Sequence, residues 1–332
     1  MVKCLERYEE VLGRKVAFKT VSTPYIDQRS FTESETHSKG ELSAGASKVL
    51  MKVLYGARMG RWDLLRELGQ LSQNMTKWTV SDDKRLFQVM SYIWSTLDYE
   101  LEGHIGDPIA ECWLDLYADA DHASGVQDKK STNGAIIILR GNNTWFPLMP
   151  LSQKQRSTAT STPEAEIVSA FKAMKAMGIP FLQALDFITG LETKLTLHED
   201  NQSCLQIIQK GYSYELRHAA KTQGIDISFL HECFVTGDLA KQCKAIYENT
   251  DHQVADIFTK ALSPKDFIYQ RHRLGIRLQE ETPSVSKLAE NPTKQGGENP
   301  NKNTAVQPTV KNSGEGTFEN DGPTSTMKVS EK

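Results

Sequence analysis

The sequence is poor in large apolar residues and has no long hydrophobic run. Hydrophobic residues make up 39% of the 332 residues, a fraction somewhat low for a chain that folds throughout. The longest apolar runs, such as 135–139, are far too short to span a bilayer. The first residues also lack the apolar core of a signal peptide. We therefore expect an intracellular protein, cytoplasmic or nuclear, with part of its chain unfolded.

Cysteine pairs and an excess of positive charge are also lacking. The five cysteines are scattered and odd in number, and none forms a C-x-x-C pair. This predicts a reduced protein with neither a disulfide framework nor a Cys/His zinc site. The net charge is −3, which argues against the strong positive field of a protein built mainly to hold nucleic acid. It leaves room for a nucleic-acid enzyme whose metal ions supply the positive charge.

The chain divides into three segments by composition. Residues 1–108 are mainly helical in pattern, residues 109–275 alternate between strand and helix patterns, and residues 276–332 form a polar tail. From about 281 onward the tail is rich in Pro, Asn, Thr, Gly, Glu and Lys, and Phe318 is its only aromatic residue. Such a segment buries too little surface to offset its ordering entropy, so we expect disorder.

Helical spacing is clearest in the first segment. Apolar residues between 86 and 97 fall at helical spacing, and Ser81 with Asp82 and Asp83 provides a helix start. A second helix is predicted through residues 64–71, and the polar stretch 25–41 is predicted to be a loop.

The second segment has a mixed order of strands and helices. The β-branched run 135–139 is typical of a central strand, and Pro147 and Pro150 suggest that 145–151 lies at an edge or bulge. Pro163 suits the first turn of a helix. The predicted elements are strands at 112–117, 135–139, 145–151, 194–200 and 244–248, and helices starting at 163, 201, 225 and 252. This order predicts an α/β fold with a mixed sheet.

Acidic residues recur at the ends of these elements. The candidates are Asp119, Glu164, Glu166, Asp200 and Asp256. Carboxylates that converge in one cleft repel each other unless a cation intervenes, and such oxygen ligands suit Mg²⁺ or Mn²⁺. The alternative is structural, because helix-start acids are usually caps and strand-end aspartates are usually turn residues. Periodicity does not choose between Glu164 and Glu166.

Four motifs follow one another in the second segment. They are Tyr117-Ala118-Asp119-Ala120-Asp121 with Lys130-Ser131-Thr132-Asn133-Gly134, then Ser152-Gln153-Lys154-Gln155 with Ser161-Thr162-Pro163-Glu164-Ala165-Glu166, then Glu199-Asp200-Asn201-Gln202-Ser203, and finally Val254-Ala255-Asp256-Ile257-Phe258-Thr259-Lys260. In this order they resemble the ribonuclease H domain of copia-type retrotransposon Pol polyproteins. The resemblance implies a ribonuclease H-like mixed sheet flanked by helices. It is preceded by a mainly helical connection segment and followed by the disordered tail.

The resemblance continues upstream of this domain. Val21-Ser22-Thr23-Pro24, Leu54-Tyr55-Gly56 and Ser95-Thr96-Leu97-Asp98-Tyr99 are similar to the end of that family's reverse transcriptase and its connection region. The first segment would then be a helical remnant of the thumb and connection, and the polymerase palm would precede it in a full polyprotein. Because no Tyr-x-Asp-Asp quartet occurs, we expect no polymerase activity from this chain.

Carried over residue by residue, the resemblance implies four catalytic and metal-binding carboxylates: Asp119, Glu166, Asp200 and Asp256. The implied reaction is hydrolysis of the RNA strand of an RNA–DNA hybrid with two Mg²⁺ or Mn²⁺ ions. Asp119 would bridge the two ions. The candidate nucleic-acid contacts are Lys130, Lys154, Arg156, Arg217 and Lys221, each of which is individually more typical of a solvated surface charge.

The sequence departs from the family pattern at several positions. His122 stands where the family usually has Trp, and Pro163 replaces a usual Thr. The stretch 223–227 and positions 228, 230 and 233 lack basic or His residues that the family commonly has. These losses affect hybrid affinity more than chemistry. The alternative function is an inactive retroelement remnant that acts at most as a weak nucleic-acid-binding or interaction module.

Overall fold

The computed structural model describes residues 1–122 and 129–278. Its helices are α1 Val2–Leu12, α2 Glu33–His37, α3 Ala46–Met59, α4 Leu65–Gln73, α5 Val80–Ser95, α6 Thr162–Ala173, α7 Ile179–Thr189, α8 Gln202–Lys210, α9 Ala219–Thr222, α10 Ile227–His231 and α11 Pro264–Arg273. Its strands are β1 Tyr99–Leu101, β2 Trp113–Asp121, β3 Thr132–Arg140, β4 Trp145–Lys154, β5 Leu195–Glu199, β6 Cys243–Tyr247 and β7 Ile276–Leu278.

The main sheet is mixed and has the strand order β4-β3-β2-β5-β6. β4, β3 and β2 are antiparallel neighbours, whereas β5 runs parallel to both β2 and β6. Helices cover both faces. The expected mixed sheet flanked by helices is therefore confirmed. The predicted edge strand is confirmed as β4, and the β-branched run lies in β3, between β2 and β4.

Alternation along the interior strands supplies two apolar cores. On β3, Ile137 faces the core built with α6, α7, α8 and α10. Its neighbours Ile136 and Ile138 face a second core built with α1, α3, α4, α5 and α11. The helices of the first segment therefore share a core with one face of the sheet.

Local sequence signals explain where the helices begin. α5 starts with a capping box, in which the side chains of Thr79 and Asp82 each accept a hydrogen bond from the other residue's backbone amide. Its N-cap, Thr79, lies two residues before Ser81, which was expected to start the helix. α6 has Ser161 as its N-cap and Pro163 in its first turn, as predicted. α8 is capped by Asn201, whose side chain accepts a hydrogen bond from the Cys204 amide at 3.0 Å.

Some predicted elements differ in the structure. The predicted helix from residue 252 is instead two short 3₁₀ turns, Thr250–His252 and Val254–Phe258, followed after a gap by α11. The loop predicted at 25–41 contains α2. The expected tail 276–332 begins inside β7, which pairs with β1; residues 279–332 lie outside the described part of the chain. Within 1–122 and 129–278, no helix combines the length and apolar character needed to cross a membrane.

Candidate active site

Two of the predicted site residues lie at one edge of the sheet because β2 and β5 are parallel neighbours. Asp119 lies near the carboxyl end of β2, and Asp200 directly follows the last residue of β5. The carboxyl ends of parallel strands meet at the same edge, so these two acids come together from positions 81 residues apart. Glu199, the last residue of β5, lies at the same edge of the sheet.

Glu164 and Glu166, both in the first turns of α6, have different surroundings. The Glu164 carboxylate accepts hydrogen bonds from the Thr160 amide at 2.7 Å and the Thr160 hydroxyl at 2.6 Å, and it also contacts the His218 ring at 3.2 Å. Glu164 is thus tied to the segment before the helix. Glu166, two positions further on, lies among the other acids.

Asp256 reaches the site on the 3₁₀ turn that packs against β3 at Gly134. A Cβ atom at Gly134 would lie 2.5 Å from Thr259 Cγ2 and 2.8 Å from the Ala255 carbonyl oxygen. Only glycine therefore allows this close approach. The Gln253 side-chain amide anchors the start of the turn, because it donates to the Ala118 carbonyl at 2.9 Å.

The acids form two overlapping groups. In the aspartate group, Asp119, Asp200 and Asp256 each place one carboxylate oxygen within 4.8 Å of the others. In the glutamate group, the same holds for Glu166, Glu199 and Asp200. All four predicted acids are thus brought together. Asp200 belongs to both groups, whereas the family resemblance implied a bridging role for Asp119.

Glu199 was missed by sequence reasoning. The signal that could have found it is its place as a charged residue at the end of a strand whose other residues are buried on both faces. Such a position is rarely charged without a partner or ligand.

Burial makes this cluster electrostatically costly. Glu166 is 4% exposed and Glu199 is fully buried. One oxygen of each, Oε2, has no hydrogen-bond partner among the described residues. Burial, and then the neighbouring negative charges, raise the pKa of both carboxyls well above the usual value. Buried, unpartnered carboxylate oxygens in like-charged surroundings are the donor set that hard divalent cations prefer, so the residues fit such ions.

The aspartate group has its own electrostatic pattern. Burial, followed by the charge of Asp119, raises the pKa of Asp256 to about 8, and burial and Asp119 also raise the pKa of Asp200. The Lys260 ammonium contacts Asp119 Oδ1 at 3.0 Å and Asp256 Oδ1 at 2.8 Å. Burial lowers the pKa of Lys260, but the two carboxylates outweigh it, so the net shift is upward. The Thr259 hydroxyl donates to the other oxygen of Asp119.

The predicted nucleic-acid contacts lie in three places. Arg156, Arg217 and Lys221 are exposed on adjoining segments, because the Ser157 hydroxyl binds the Thr222 carbonyl at 3.1 Å. Arg217 also lies over the ring of Tyr214, 5.4 Å from its centroid. Lys154 is half-buried at the end of β4 and donates to Gln73 of α4, and Lys130 is half-buried just before β3.

Two histidines near the motifs do not join the acid cluster. The His122 ring contacts the Ala159 carbonyl at 3.3 Å. The His252 ring contacts the Tyr269 hydroxyl at 3.3 Å. Both contacts are with residues outside the two carboxylate groups.

Comparisons with curated proteins find relatives of one kind, although no family model matches the chain. The chain is 27% identical over 225 residues to the retrovirus-related Pol polyprotein from transposon RE2 of Arabidopsis thaliana, covering 65% of this chain and 14% of that protein. It is 25% identical over 282 residues to the Pol polyprotein from transposon TNT 1-94 of Nicotiana tabacum, covering 82% and 20%. It is 27% identical over 260 residues to the transposon Ty1-JR2 Gag-Pol polyprotein of Saccharomyces cerevisiae, covering 77% and 14%. The chain thus spans a seventh to a fifth of the length of these relatives.

Solved structures with similarity include two ribonucleases H. One is LC11-RNase H1 isolated from compost, with 11% identity and a TM-score of 0.29, covering 44% of this chain and 92% of that one. The other is the N-terminal ribonuclease H domain of a Mycobacterium tuberculosis protein, with 9% identity and a TM-score of 0.30, covering 48% and 96%. At these scores the fold assignment rests on the strand order and strand directions of the chain itself.

Proposed function

We propose that this chain, whose relatives are the Pol polyproteins of copia-type transposons, is a metal-dependent ribonuclease H that cleaves the RNA strand of RNA–DNA hybrids. The observation that carries the proposal is the convergence of five carboxylates at the carboxyl edge of β2 and β5, with two buried oxygens lacking partners. Structural caps would not need that convergence. Glu164, which does serve as a cap, has its own separate partners.

The proposed metal ligands are Asp119, Glu166, Asp200 and Asp256, with Glu199 added by the geometry. When bound, two Mg²⁺ or Mn²⁺ ions supply an activated water and stabilise the leaving 3′ oxygen. The chain itself orients the ligands. Thr259 and Lys260 fix Asp119, and the Thr250 hydroxyl fixes Asp200 at 3.0 Å. Fixed ligands lower the reorganisation needed during the reaction.

The proposed substrate contacts are Arg156, Arg217 and Lys221, with Lys130 and Lys154 as further candidates. Phosphate contacts of this kind position a nucleic acid and set its affinity. In the proposed complex, the 2′-hydroxyls and the A-like shape of the hybrid distinguish the RNA strand from DNA.

The division of the chain also remains a proposal. Residues 1–108 would be the helical remnant of a reverse transcriptase thumb and connection, 109–275 the ribonuclease H domain, and 276–332 the tail. The shared core of the first two segments supports their working as one body. The upstream reverse transcriptase palm would be a partner within a full polyprotein.

A cleavage assay tests the proposed activity. Labelled RNA–DNA hybrid, RNA duplex, DNA duplex and single-stranded RNA are each incubated with Mg²⁺ or Mn²⁺. We expect cleavage of the hybrid alone, reduced by about 10³-fold or more in Asp119→Asn. Asp238→Asn is the matched control, because the Asp238 side chain is 99% exposed and pairs with Lys241 at 2.9 Å. It should cleave like the wild type.

The opposite outcome is equally informative. If the wild type is as inert as Asp119→Asn on every substrate, the enzyme proposal is wrong. Persistent hybrid binding by that inert protein, lost on replacing Arg217 and Lys221, would favour the alternative of a weakly binding retroelement remnant.

A further inference from the structure

The two carboxylate groups differ in whether a positively charged side chain already pairs with them. In the aspartate group, the Lys260 ammonium lies between Asp119 and Asp256, within 3.0 Å of an oxygen of each. The other Asp119 oxygen accepts from Thr259. Both oxygens of Asp119 therefore have partners before any ion binds, and one of those partners is a cation.

The glutamate group has no comparable partner. Glu199 Oε1 accepts a hydrogen bond from the Asn201 amide at 3.2 Å, but Oε2 of Glu199 and Oε2 of Glu166 lack partners among the described residues. Both side chains are more than nine-tenths buried. Among the described residues, no basic side chain forms an ion pair with either carboxylate.

The two groups at this edge of the sheet should therefore differ in how readily they bind a divalent cation. At the glutamate group, the ion relieves repulsion between the carboxylates and is coordinated by oxygens that lack hydrogen-bond partners. No bound cation has to be displaced there. At the aspartate group the ion must first displace an ammonium that is held by two carboxylates, and the displaced charge remains on a tethered side chain nearby.

We propose that the site takes up divalent cations in two unequal steps: a tight step at Glu166, Glu199 and Asp200, and a weak step at the aspartate group, where Lys260 competes with the ion. Glu199 is a metal ligand in the first step. Lys260 is a positioning residue that holds Asp119 and Asp256 in place until the second ion arrives. This inference rests on the metal site of the proposed function but makes a separate claim about affinity.

The order has a chemical consequence for the proposed reaction. With Lys260 in place, its single positive charge offsets part of the negative charge of Asp119 and Asp256 while only one ion is bound. The second ion is then recruited when further negative charge arrives, and the phosphates of a bound nucleic acid supply such charge. Full loading would thus depend on substrate, and free protein would hold one tight ion.

Mn²⁺ binding to the free protein tests the inference without any measurement of activity. The free Mn²⁺ signal in electron paramagnetic resonance, with calorimetry in parallel, gives the number of ions and their affinities. We expect two classes of site in the wild type. In Lys260→Met the weak class should tighten by about tenfold, because the competing ammonium is gone. In Glu199→Gln the tight class should weaken by about 10- to 100-fold.

Two further variants serve as controls. Lys260→Arg keeps a cation between the aspartates, so its weak class should stay weak. Lys244→Met removes an exposed lysine on β6 and should change neither class. Circular dichroism checks that each variant is folded. Should Lys260→Met fail to fold, the wild type, Lys260→Arg and Glu199→Gln still decide the inference.

Several results would overturn it. These are two equal sites in the wild type, an unchanged weak class in folded Lys260→Met, or an unchanged tight class in Glu199→Gln. The last would indicate that Glu166 and Glu199 share a proton instead of an ion. A protein that binds Mn²⁺ in two unequal steps but cleaves no hybrid would refute the proposed function and leave this inference standing. Hybrid cleavage with two equal sites would do the reverse.

Discussion

Buried acids in the helical segment and buried acids at the sheet edge differ in how completely their carboxylate oxygens are paired. In the helical segment, Asp63 accepts two hydrogen bonds from the Arg61 guanidinium and a third from the Tyr92 hydroxyl, at 2.7 to 3.1 Å. Glu67 is paired with Arg85 at 2.8 Å. Within the described residues, none of these carboxylate oxygens lacks a partner.

At the sheet edge, by contrast, Lys260 pairs with Asp119 and Asp256, and one oxygen each of Glu166 and Glu199 lacks a hydrogen-bond partner among the described residues. The contrast teaches that burial alone does not mark a functional acid. An acid with a full set of partners stabilises the fold, whereas a buried acid without them is costly to the fold and marks a candidate ligand site.

The largest change in the free energy of unfolding is expected from breaking a buried ion pair in the helical segment. Arg61→Met leaves the carboxylate of Asp63 buried without its counter-charge, and removal of one partner of a buried pair costs about 3–5 kcal/mol. Urea unfolding of wild type and variant measures the change in the free energy of unfolding. Arg14→Met, which removes an exposed pair with Glu41, is the control and should change stability by less than about 1 kcal/mol. Equal losses in both variants would contradict the distinction between the two kinds of pair.

Adding a divalent ion should stabilise the protein, and more so at higher pH. The pKa values of Glu166, Glu199 and Asp256 are raised in the folded state, so the folded chain binds more protons than the unfolded one. The stability from these groups is fully present below about pH 4, the ordinary carboxyl pKa. It is lost as pH rises through the folded pKa, about 8 for Asp256.

Ions should replace the lost protons. At a Mn²⁺ concentration 100 times the dissociation constant, the gain is about 2.7 kcal/mol. Thermal unfolding with chelator or Mn²⁺, at about pH 5 and pH 8, measures it. We expect the difference in Tm to be clearly larger at the higher pH. A difference that shrinks as pH rises would contradict the description of the sheet edge as unsatisfied.

Close packing at Gly134, in addition to the ion pairs of Lys260, holds the sheet-edge acids in place. Gly134→Ala should force Thr259 and the Ala255 carbonyl away from β3, at an overpacking cost of about 1–3 kcal/mol. Because Asp256 lies on that turn and Lys260 follows it, the Mn²⁺ affinity of the aspartate group should fall as well. Gly69→Ala, where an added Cβ meets nothing within 4 Å, is the control. It should keep both stability and Mn²⁺ binding.

The sequence predicted the sheet and four of the five clustered acids because strands, caps and motif residues are local signals. The β-branched run of β3, Pro163 at the start of α6 and Asn201 before α8 all lie where short-range chemistry places them. The resemblance then separated Glu166 from Glu164, which periodicity alone left open. The structure explains that separation by the contacts of Glu164 with Thr160 and His218.

Long-range contacts account for what the sequence did not predict. Residues 250–258 form 3₁₀ turns instead of a helix, because Gln253 binds the strand carbonyls and the turn packs on Gly134. Pairing of β1 with β7 joins residues 99–101 to 276–278, which no local pattern reveals. The ion pairs of Lys260 likewise depend on Asp119, 141 positions away.

The smallest expected effect is the one that most directly sharpens the comparison. Glu199→Gln replaces a buried acid that has one oxygen without a partner among the described residues by a neutral side chain of the same size, so the metal-free protein should gain on the order of 1 kcal/mol in stability. Glu67→Gln, the matched change in the helical segment, breaks the pair with Arg85 and should lose stability instead. Urea unfolding in chelator at about pH 8 measures both. Opposite signs for the same substitution, at two buried glutamates of one chain, are what a ligand-binding cluster predicts. A loss at Glu199 would mean that its carboxylate is part of the fold's own support.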